Sequence, residues 1–339
     1  MSQRQFRIGI NGFGRTGRQV MRAIQHHHPE LLVVAINDLG PVDTSALLLR
    51  HDSVYGAYPV TVSHTKDSLV VAGEHVRFFA EESPSLVPWK DANVDFVIEA
   101  TGHFNSGPAA RDHLHSEHVK AIFVCAPAPG SDSTVVFGIN HLELARVPRQ
   151  VISTSSCTTT AAAPILSALD QGFGIVRAFV TSIHSYTNSQ RLLDKSKSGP
   201  RDSRSAINIV PMTTGAETGL AQVLPGLVGK VVARAIRVPT MTVSLLELTV
   251  RLHRPTSADD INGYLSAISS EGYHNTLGFT MEPLVSSDFR QLDKSSVISG
   301  FDTSVHEDFA RVLGWYDHEY GYACRVADLV AYAAETLSD

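Results

Sequence analysis

The sequence contains no run of about eighteen consecutive apolar residues, the length that a membrane-spanning helix needs. It also has no excess of basic residues, because 28 Lys and Arg stand against 34 Asp and Glu and leave a net charge of −6. A chain without a basic cluster does not attract nucleic acid nonspecifically. These absences predict no membrane and no nucleic acid among its partners.

Cysteine is scarce as well, and the three thiols Cys125, Cys157 and Cys324 cannot all pair within the chain. Their spacing matches no metal-ligand pattern, so we expect no metal and a reducing compartment that keeps thiols free. Residues 1–7 are polar and lack the apolar core of a signal peptide. We therefore expect a soluble, cytoplasmic protein in which at least one thiol has a role.

The 339 residues are enough for about two domains. In the first half, short apolar runs at 6–10 and 31–36 flank a helical pattern around Val20 and Ile24. This order of strand, helix and strand is typical of a parallel sheet. Further buried strands are expected at 94–98, 119–125, 134–137 and 151–152.

After residue 153 the pattern changes to alternation of polar and apolar residues, at 176–186, 231–238 and 242–253. Such strands are typical of an antiparallel sheet with one covered face, so the second half is expected to be α+β. Residues 187–205 are polar and predict a long loop that needs a partner. Ser257 with Asp260 predicts a helix start, and 322–337 a terminal amphipathic helix.

A glycine-rich turn follows the first predicted strand, with Gly12, Gly14 and Gly17 in the pattern GxGxxG. Glycines there allow a tight turn and a close approach of the backbone to a pyrophosphate, and the next helix offers N–H groups to the anion. Asp38 ends the second strand, where its carboxylate can accept hydrogen bonds from a ribose diol. With both flanking elements in place, the pattern favours dinucleotide binding over a glycine-rich turn beside a surface Asp.

Cys157 stands among hydroxyl residues, just before an apolar helical pattern that starts at Ala161. A thiol at a helix N-terminus has a lowered pKa and a larger thiolate fraction, which makes it a nucleophile. Pro164 falls inside the proposed helix and predicts either a kink or a later helix start. Cys125, inside an apolar strand, fits the alternative of an inert buried thiol better.

His184 lies on the predicted strand 176–186, 27 residues after Cys157. It could serve as the general base or as the imidazolium partner of a thiolate. Because the chain has 16 histidines, the spacing alone does not select this one.

Five segments, taken in order, are similar to the phosphorylating glyceraldehyde-3-phosphate dehydrogenases: 10–18 (INGFGRTGR), 155–159 (SSCTT), 184–187 (HSYT), 237–240 (RVPT) and 315–319 (WYDHE). The resemblance covers essentially the whole chain. It implies an N-terminal Rossmann dinucleotide-binding domain at 1–156 and an α+β catalytic domain with a mainly antiparallel sheet at 157–318. A terminal helix at about 319–339 would return to the first domain. The loop 187–205 would reach a neighbouring subunit of a homotetramer.

The same resemblance implies that Cys157 is the nucleophile and His184 its acid/base partner. The aldehyde would be oxidised through a Cys157 thioester with hydride transfer to NAD, and phosphate would release 1,3-bisphosphoglycerate, a step of glycolysis and gluconeogenesis. The residues implied to bind the cofactor are Asn11, Gly12, Phe13, Gly14, Arg15, Thr16, Gly17, Asp38, Thr101, Gly102 and His318. Those implied to bind glyceraldehyde 3-phosphate or inorganic phosphate are Ser156, Thr158, Thr187, Arg201, Thr214, Gly215 and Arg237.

Several positions depart from the family pattern. Ser189 stands where the family has Asp, and Thr160 and Ala161 replace Asn-Cys. His318 occupies the position of the Asn that holds the nicotinamide carboxamide, and an imidazole is larger and lacks the paired amide. These changes leave substrate preference, inhibitor tolerance and activity open.

The expected cofactor is NAD, because the Asp38 carboxylate repels the 2′-phosphate of NADP. Gly40 and Ser196 are similar to family members that also accept NADP, and Lys195 and Lys197 could attract that phosphate. We expect NAD to be preferred, with some use of NADP.

Two other functions stay open at this point. Erythrose-4-phosphate dehydrogenase shares the thiol and imidazole pair, but Thr187, Thr214 and Gly215 favour phosphorolysis. A paralogue that binds NAD as a sensor without turnover is motivated by Ser189 and His318, and the intact thiol and imidazole oppose it.

Overall fold

The computed structural model describes residues 5–144, 149–196, 199–271 and 273–337. Contacts divide the chain into two compact units, one of Met1–Ser155 with Ala323–Asp339 and one of Ser156–Tyr322. Lys197, which the sequence associates with NADP, lies outside the described residues. Over the described part of the chain, no helix is long and apolar enough to cross a membrane.

The first unit alternates strands and helices, as the apolar runs predict. Its strands are β1 (Phe6–Asn11), β2 (Leu31–Asn37), β3 (His51–Asp52), β4 (Gly56–Ala57), β5 (Val62–His64), β6 (Ser68–Val71), β7 (Glu74–Phe79), β8 (Phe96–Glu99), β9 (Ala121–Val124), β10 (Ser133–Thr134) and β11 (Gln150–Ser153). Its helices are α1 (Arg15–His27), α2 (Val42–Arg50) and α3 (Gly107–Arg111). Of the predicted strand 134–137, only the first residue is a strand in the structure.

The described strands of this unit form a sheet in the order β10-β11-β9-β8-β1-β2-β7-β6-β5, beside the small pair β3-β4. Neighbours from β10 to β7 are parallel, and β6 and β5 continue the sheet in antiparallel fashion. The register places Asn11 opposite both Asn37 and Glu99. Three polar residues therefore meet where apolar strands end, at the edge outside which open parallel sheets bind ligands.

The core of the first unit is built from these strands and a buried tryptophan. Trp89 is fully buried and packs in a cluster with Val94, Val97, Ile122 and Val151. Full burial of each such aliphatic side chain contributes about 1.5–3 kcal/mol relative to exposure. The near-continuous apolar runs of the sequence are thus explained by a sheet buried on both faces.

The second unit is built on a different kind of sheet. Its strands are β12 (Ile175–Ser185), β13 (Val210–Met212), β14 (Val231–Val238), β15 (Ser244–Leu252), β16 (Leu277–Thr280), β17 (Ser296–His306) and β18 (Phe309–Tyr316). Its helices are α4 (Cys157–Phe173), α5 (Ala216–Val223) and α6 (Ala258–Ser270). Helix α7 (Tyr320–Thr336) follows β18, and from Ala323 onwards its residues belong to the first unit.

The described strands of the second unit pair in the order β13-β14-β12-β15-β18-β17-β16. Most neighbours are antiparallel, while β12 with β14 and β16 with β17 are parallel. Burial alternates along β15, with buried residues at every second position. The expected α/β fold with a mainly antiparallel second sheet is confirmed.

Local sequence signals account for several boundaries. The Ser257 hydroxyl accepts a hydrogen bond from the Asp260 N–H at 3.1 Å, and the Asp260 carboxylate accepts one from the Ser257 N–H at 3.3 Å, which caps α6 as predicted. Helix α4 begins at Cys157 and continues through Pro164, so the later start expected from the proline does not occur. The described residues between β12 and β13 form no helix or extended strand, in keeping with the predicted loop at 187–205.

Candidate active site

Cys157 is the first residue of α4. Ser156 caps the helix by accepting a hydrogen bond from the Thr159 N–H at 3.1 Å, and Ser155 before it has a left-handed backbone with φ of 59°. Such a conformation costs a non-glycine residue about 1–3 kcal/mol and is concentrated at functional sites. The thiol therefore lies at the positive end of the helix dipole, as the sequence predicts.

His184 is the histidine that the structure brings to this thiol. Its Nε2 lies 3.5 Å from Cys157 Sγ, and the side chain is 2% exposed near the end of β12. Its Nδ1 lies 2.7 Å from the Ser185 carbonyl oxygen. Because a carbonyl only accepts, this contact assigns the proton to Nδ1 and leaves the Nε2 lone pair facing the sulfur.

Arg237 comes from the neighbouring strand β14, where the register places it opposite His184. Its Nη1 donates to the Ser185 carbonyl at 3.1 Å and lies 2.5 Å from His184 Nδ1. The second distance is shorter than a normal N–H hydrogen bond and joins two donors in the assigned tautomer, so we take the carbonyl as the acceptor. A guanidinium in this position opposes a positive charge on the imidazole.

Burial opposes ionisation of both Cys157 and His184, against the expectation of a thiolate at a helix N-terminus. Burial raises the pKa of the Cys157 thiol, while Arg237 and hydrogen bonds from Thr158 lower it. Burial also lowers the pKa of His184 well below its usual range, followed by the effects of His318 and Arg237. The residue as a whole is half-buried. Burial thus opposes the thiolate predicted from the helix end, and the ionised thiol stays a prediction.

Tyr316 is a neighbour of Cys157 and His184 to which the sequence analysis gave no role, although it lies in the WYDHE segment. Its hydroxyl lies 2.7 Å from Ser182 Oγ and 3.3 Å from Thr158 Oγ1, and its ring meets the His184 ring edge-on at 6.0 Å. Burial raises the pKa of this phenol. A neutral Tyr316 therefore ties the first turn of α4 to β12 and holds the thiol against the imidazole.

The predicted phosphate-binding residues all belong to the second unit, and the structure gives the neighbours of several of them. Arg237 adjoins His184, while Thr187 follows β12 and its hydroxyl lies 2.9 Å from Ser189 Oγ. Gly215 caps α5, and Thr214 Oγ1 accepts a hydrogen bond from the Ala216 N–H at 3.2 Å. The Arg201 guanidinium instead donates to the Pro211 carbonyl at 3.2 Å.

The glycine turn of the first unit has the geometry of a cradle. Gly12 has φ of 90°, and a Cβ there would lie 2.6 Å from the Thr101 nitrogen. A Cβ on Gly17 would lie 2.1 Å from the Gly12 carbonyl oxygen. At Gly14, which caps α1 without a side-chain hydrogen bond, nothing lies within 4 Å of the added atom. This open helix end fits a dinucleotide pyrophosphate.

Asp38 stands beside the turn at the end of β2. One of its oxygens accepts the Phe13 N–H at 2.6 Å and the other accepts the Gly40 N–H at 2.8 Å. The carboxylate therefore holds the turn and keeps lone pairs for a ribose diol. The Arg15 guanidinium pairs with Asp52 at 2.9 Å and is directed to that carboxylate.

A buried polar network beneath this turn is the second feature that sequence reasoning missed. Glu99 accepts hydrogen bonds from Asn11 Nδ2 at 2.5 Å and from the Thr101 N–H at 2.8 Å. His113 Nε2 lies 3.1 Å from the same carboxylate, and Trp89 donates to His113 Nδ1 at 3.0 Å. Because an indole only donates, the tryptophan leaves the imidazole proton on Nε2, directed at Glu99. The only available signal was a Glu that ends an apolar strand.

His318 lies in the second unit, in the turn after β18. Its ring centroid is 4.6 Å from that of His184, and its Nδ1 lies 3.3 Å from Ser244 Oγ. The resemblance implied that His318 binds the nicotinamide, and in the structure its ring contacts that of His184, the candidate base. Among the described residues, no group of His, Cys, Asp and Glu side chains could hold a metal ion.

Comparison with known proteins agrees with this geometry. Residues 6–107 match the family described as glyceraldehyde 3-phosphate dehydrogenase, NAD binding domain, and residues 156–318 match its C-terminal domain. The chain is 42% identical over 328 residues to glyceraldehyde-3-phosphate dehydrogenase 1 of Bacillus cereus, covering 96% of this chain and 98% of that one. It is 42% identical over 336 residues to the enzyme of Zymomonas mobilis, covering 98% and 99%. The Geobacillus stearothermophilus enzyme is 41% identical over 330 residues, covering 97% and 98%. With matches of this extent in both halves, the chain belongs to the glyceraldehyde-3-phosphate dehydrogenase family.

Proposed function

We propose that the protein is a phosphorylating glyceraldehyde-3-phosphate dehydrogenase that uses NAD. The observation that carries the proposal is the 3.5 Å approach of His184 Nε2 to Cys157 Sγ at the N-terminus of α4. A thiol, an imidazole with a free lone pair and a helix end are what an aldehyde oxidation through a thioester requires.

The proposed chemistry starts with the sulfur. His184 Nε2 accepts the Cys157 proton as the sulfur adds to the aldehyde carbon, and the resulting oxyanion faces the Cys157 N–H at the helix end. The His184 imidazolium returns this proton to the oxyanion, and its neutral Nε2 then accepts the hydroxyl proton as the hemithioacetal is oxidised to the thioester. NAD, when bound, supplies the hydride acceptor. Attack of inorganic phosphate on the thioester carbon then breaks the C–S bond and releases 1,3-bisphosphoglycerate.

Two groups of residues are proposed to hold the reactants. The cofactor is assigned to residues 11–17, Asp38, Thr101, Gly102 and His318, with the open space at Gly14 supporting the pyrophosphate position. The phosphates are assigned to Ser156, Thr158, Thr187, Arg201, Thr214, Gly215 and Arg237. Arg237 has the strongest support, because it adjoins the imidazole and a planar guanidinium suits phosphate.

The assembly and setting of the enzyme are part of the proposal. We assign a homotetramer, with the loop 187–205 reaching a neighbouring subunit. Exposed apolar side chains support a partner surface there, since Leu192 and Leu193 are 83% and 74% exposed. We also assign the protein to the cytoplasm, with some use of NADP and with roles in glycolysis and gluconeogenesis. The proposed domain limits are 1–156, 157–318 and 319–339.

A steady-state assay of both aldehydes with both nucleotides, with and without phosphate, tests the function. We expect NADH formation from glyceraldehyde 3-phosphate that depends on phosphate. Faster, phosphate-independent oxidation of erythrose 4-phosphate would identify the erythrose-4-phosphate enzyme instead. NAD binding without any turnover would identify a sensor. A kcat/KM that favours NADP would overturn the cofactor preference.

A further inference from the structure

We propose that His318 is a positioning residue for His184, whose ring it contacts and keeps in the uncharged form that can accept a proton. The proposal rests on the proposed roles of Cys157 and His184 and adds a residue that sets the pH range of the base. Two buried imidazoles in contact form an arrangement in which a proton on one ring opposes a proton on the other.

The geometry supports direct action of one ring on the other. The centroids lie 4.6 Å apart with the planes tilted by 54°. His184 is 2% exposed and His318 is 6% exposed, so little water screens the two rings. Ser244, next to His318 Nδ1 at 3.3 Å, fixes the orientation of the second ring.

The turn that carries His318 is itself held in place. The Asp317 carboxylate accepts the N–H groups of Glu319 and Tyr320, each at 3.1 Å, and that of Gln291 at 3.0 Å. It also accepts the Thr242 hydroxyl at 3.3 Å. Asp317 is thereby engaged as a backbone anchor, which restrains the position of the neighbouring imidazole.

Four titratable groups contact His184 from the elements around it. Cys157 contacts it from α4, Arg237 from β14, Tyr316 from β18 and His318 from the turn that follows. Two of these four are basic, and both lower the pKa of His184 in addition to the larger effect of burial. Arg237 also lowers the pKa of Cys157. His318 is thus the group whose removal changes the imidazole more than the thiol.

The test compares His318→Asn with the wild type in two pH profiles. Without the second imidazole, we expect His184 to hold a proton more strongly, so the acid limb of kcat moves to higher pH by about half to one unit. The thiolate–imidazolium pair is stabilised by the same change. Alkylation of Cys157 by iodoacetamide, measured without aldehyde or NAD, should therefore become about three- to tenfold faster near pH 6.

Controls make the alkylation specific. Burial raises the pKa of Cys125 far above its usual range and Cys324 is 1% exposed, so both react slowly. A Cys157→Ser background measures their remaining contribution. His64→Asn makes the same substitution at an exposed position of the first unit and should leave both profiles unchanged. If His318→Asn fails to fold, His318→Gln removes the charge while filling more of the space.

Opposite shifts of the two profiles would support the proposal, because loss of packing alone changes each rate by the same factor at every pH. Unchanged profiles, or a uniform loss across pH, would overturn it. The alkylation arm needs no turnover, so it answers the question even if the wild type oxidises no aldehyde. That second result would count against the proposed function only.

Discussion

The glycine turn of the first unit and the thiol site of the second are built in opposite ways. The turn is a backbone structure, made by residues 12–17 and the Thr101 segment that a Cβ on Gly12 would strike. The thiol site is made of side chains from α4, β12, β14 and the turn after β18, spread from Cys157 to His318. A backbone site tolerates no added atom at its tight positions. A side-chain site depends on which groups the sheet register brings together.

The largest expected effect comes from removing the nucleophile of the thiol site, which should leave NAD binding at the glycine turn intact. Cys157→Ser replaces the nucleophile with a far weaker one and should lower kcat for aldehyde oxidation by on the order of 10⁴-fold or more. NAD affinity, measured by titration calorimetry, should stay within about twofold, because the assigned turn lies in the first unit. The matched variant Cys125→Ser should keep its activity. A Cys157→Ser enzyme with more than about a hundredth of the wild-type rate contradicts the assignment.

The next comparison separates two glycines of the same turn. Gly12→Ala forces φ of 90° on alanine and drives its Cβ to 2.6 Å from the Thr101 nitrogen, so we expect a loss of about 2–4 kcal/mol in the free energy of unfolding of the first unit. Gly14→Ala adds its methyl group to open space and should leave that free energy unchanged.

Activity distinguishes the two variants further. If the space at Gly14 receives the pyrophosphate, the added methyl should raise the KM for NAD by about tenfold, the equivalent of about 1.4 kcal/mol. Urea unfolding and steady-state kinetics give both quantities. An unchanged KM in Gly14→Ala removes that position from the cofactor site.

The buried network tests how far side chains support the backbone site. Glu99→Gln places an amide NH₂ among donors from Asn11, His113 and Thr101, so we expect a loss of about 2 kcal/mol in stability and weaker NAD binding. Glu81→Gln is the matched control, because Glu81 bonds Asn37 through its backbone. If urea unfolding gives equal stability for the two variants, the hydrogen bonds of Glu99 do not stabilise the glycine turn.

The smallest effect is a pH dependence confined to the first unit. Burial lowers the pKa of His28, but hydrogen bonds and charges from Asp328 and Glu30 outweigh it and raise the pKa overall. A raised pKa in the folded chain means that the stabilisation is present below the unfolded value of about 6.5 and is lost as pH rises through the folded value. Because the pair is partly solvated, we expect only about 0.5 kcal/mol.

His28→Gln measures that contribution. The variant should be less stable than the wild type at pH 5.5 and equal to it at pH 9, in urea unfolding followed by Trp89 fluorescence in a Trp315→Phe background. Trp89 lies in the first unit, so it reports the unit that contains the pair. A difference that persists at pH 9 would mean that the substitution acts through packing instead.

The two units also differ in how well their sequences predicted them. Strand β1, helix α1 and strand β2 follow from apolar periodicity and the glycine pattern, because the residues that determine them are neighbours in the chain. Strand β14 and the cap of α6 were predicted to the residue for the same reason. The short β10 was overestimated, since Val135 and Val136 are buried outside any strand.

The residues of the candidate site also differ in how well the local sequence predicted them. Cys157 follows from its position before a helical pattern, whereas spacing alone left His184 as one of 16 histidines. The family resemblance singled it out, and the structure places it 3.5 Å from the sulfur. The hydrogen bonds of Tyr316 and Glu99, and the contact between His318 and His184, could not be predicted from neighbouring residues in the sequence. Each depends on pairing between strands that are distant in the chain.

The amino-acid order alone determined the alternation of elements, the glycine turn and the helix that begins at the thiol, because those features depend on backbone conformation and hydrophobic period within a few residues. Tertiary structure alone decided which charges surround the imidazole at Cys157 and how far burial opposes ionisation of the sulfur. Those outcomes depend on sheet register and on the water removed when distant strands pack, and neither quantity is a property of any short stretch of chain.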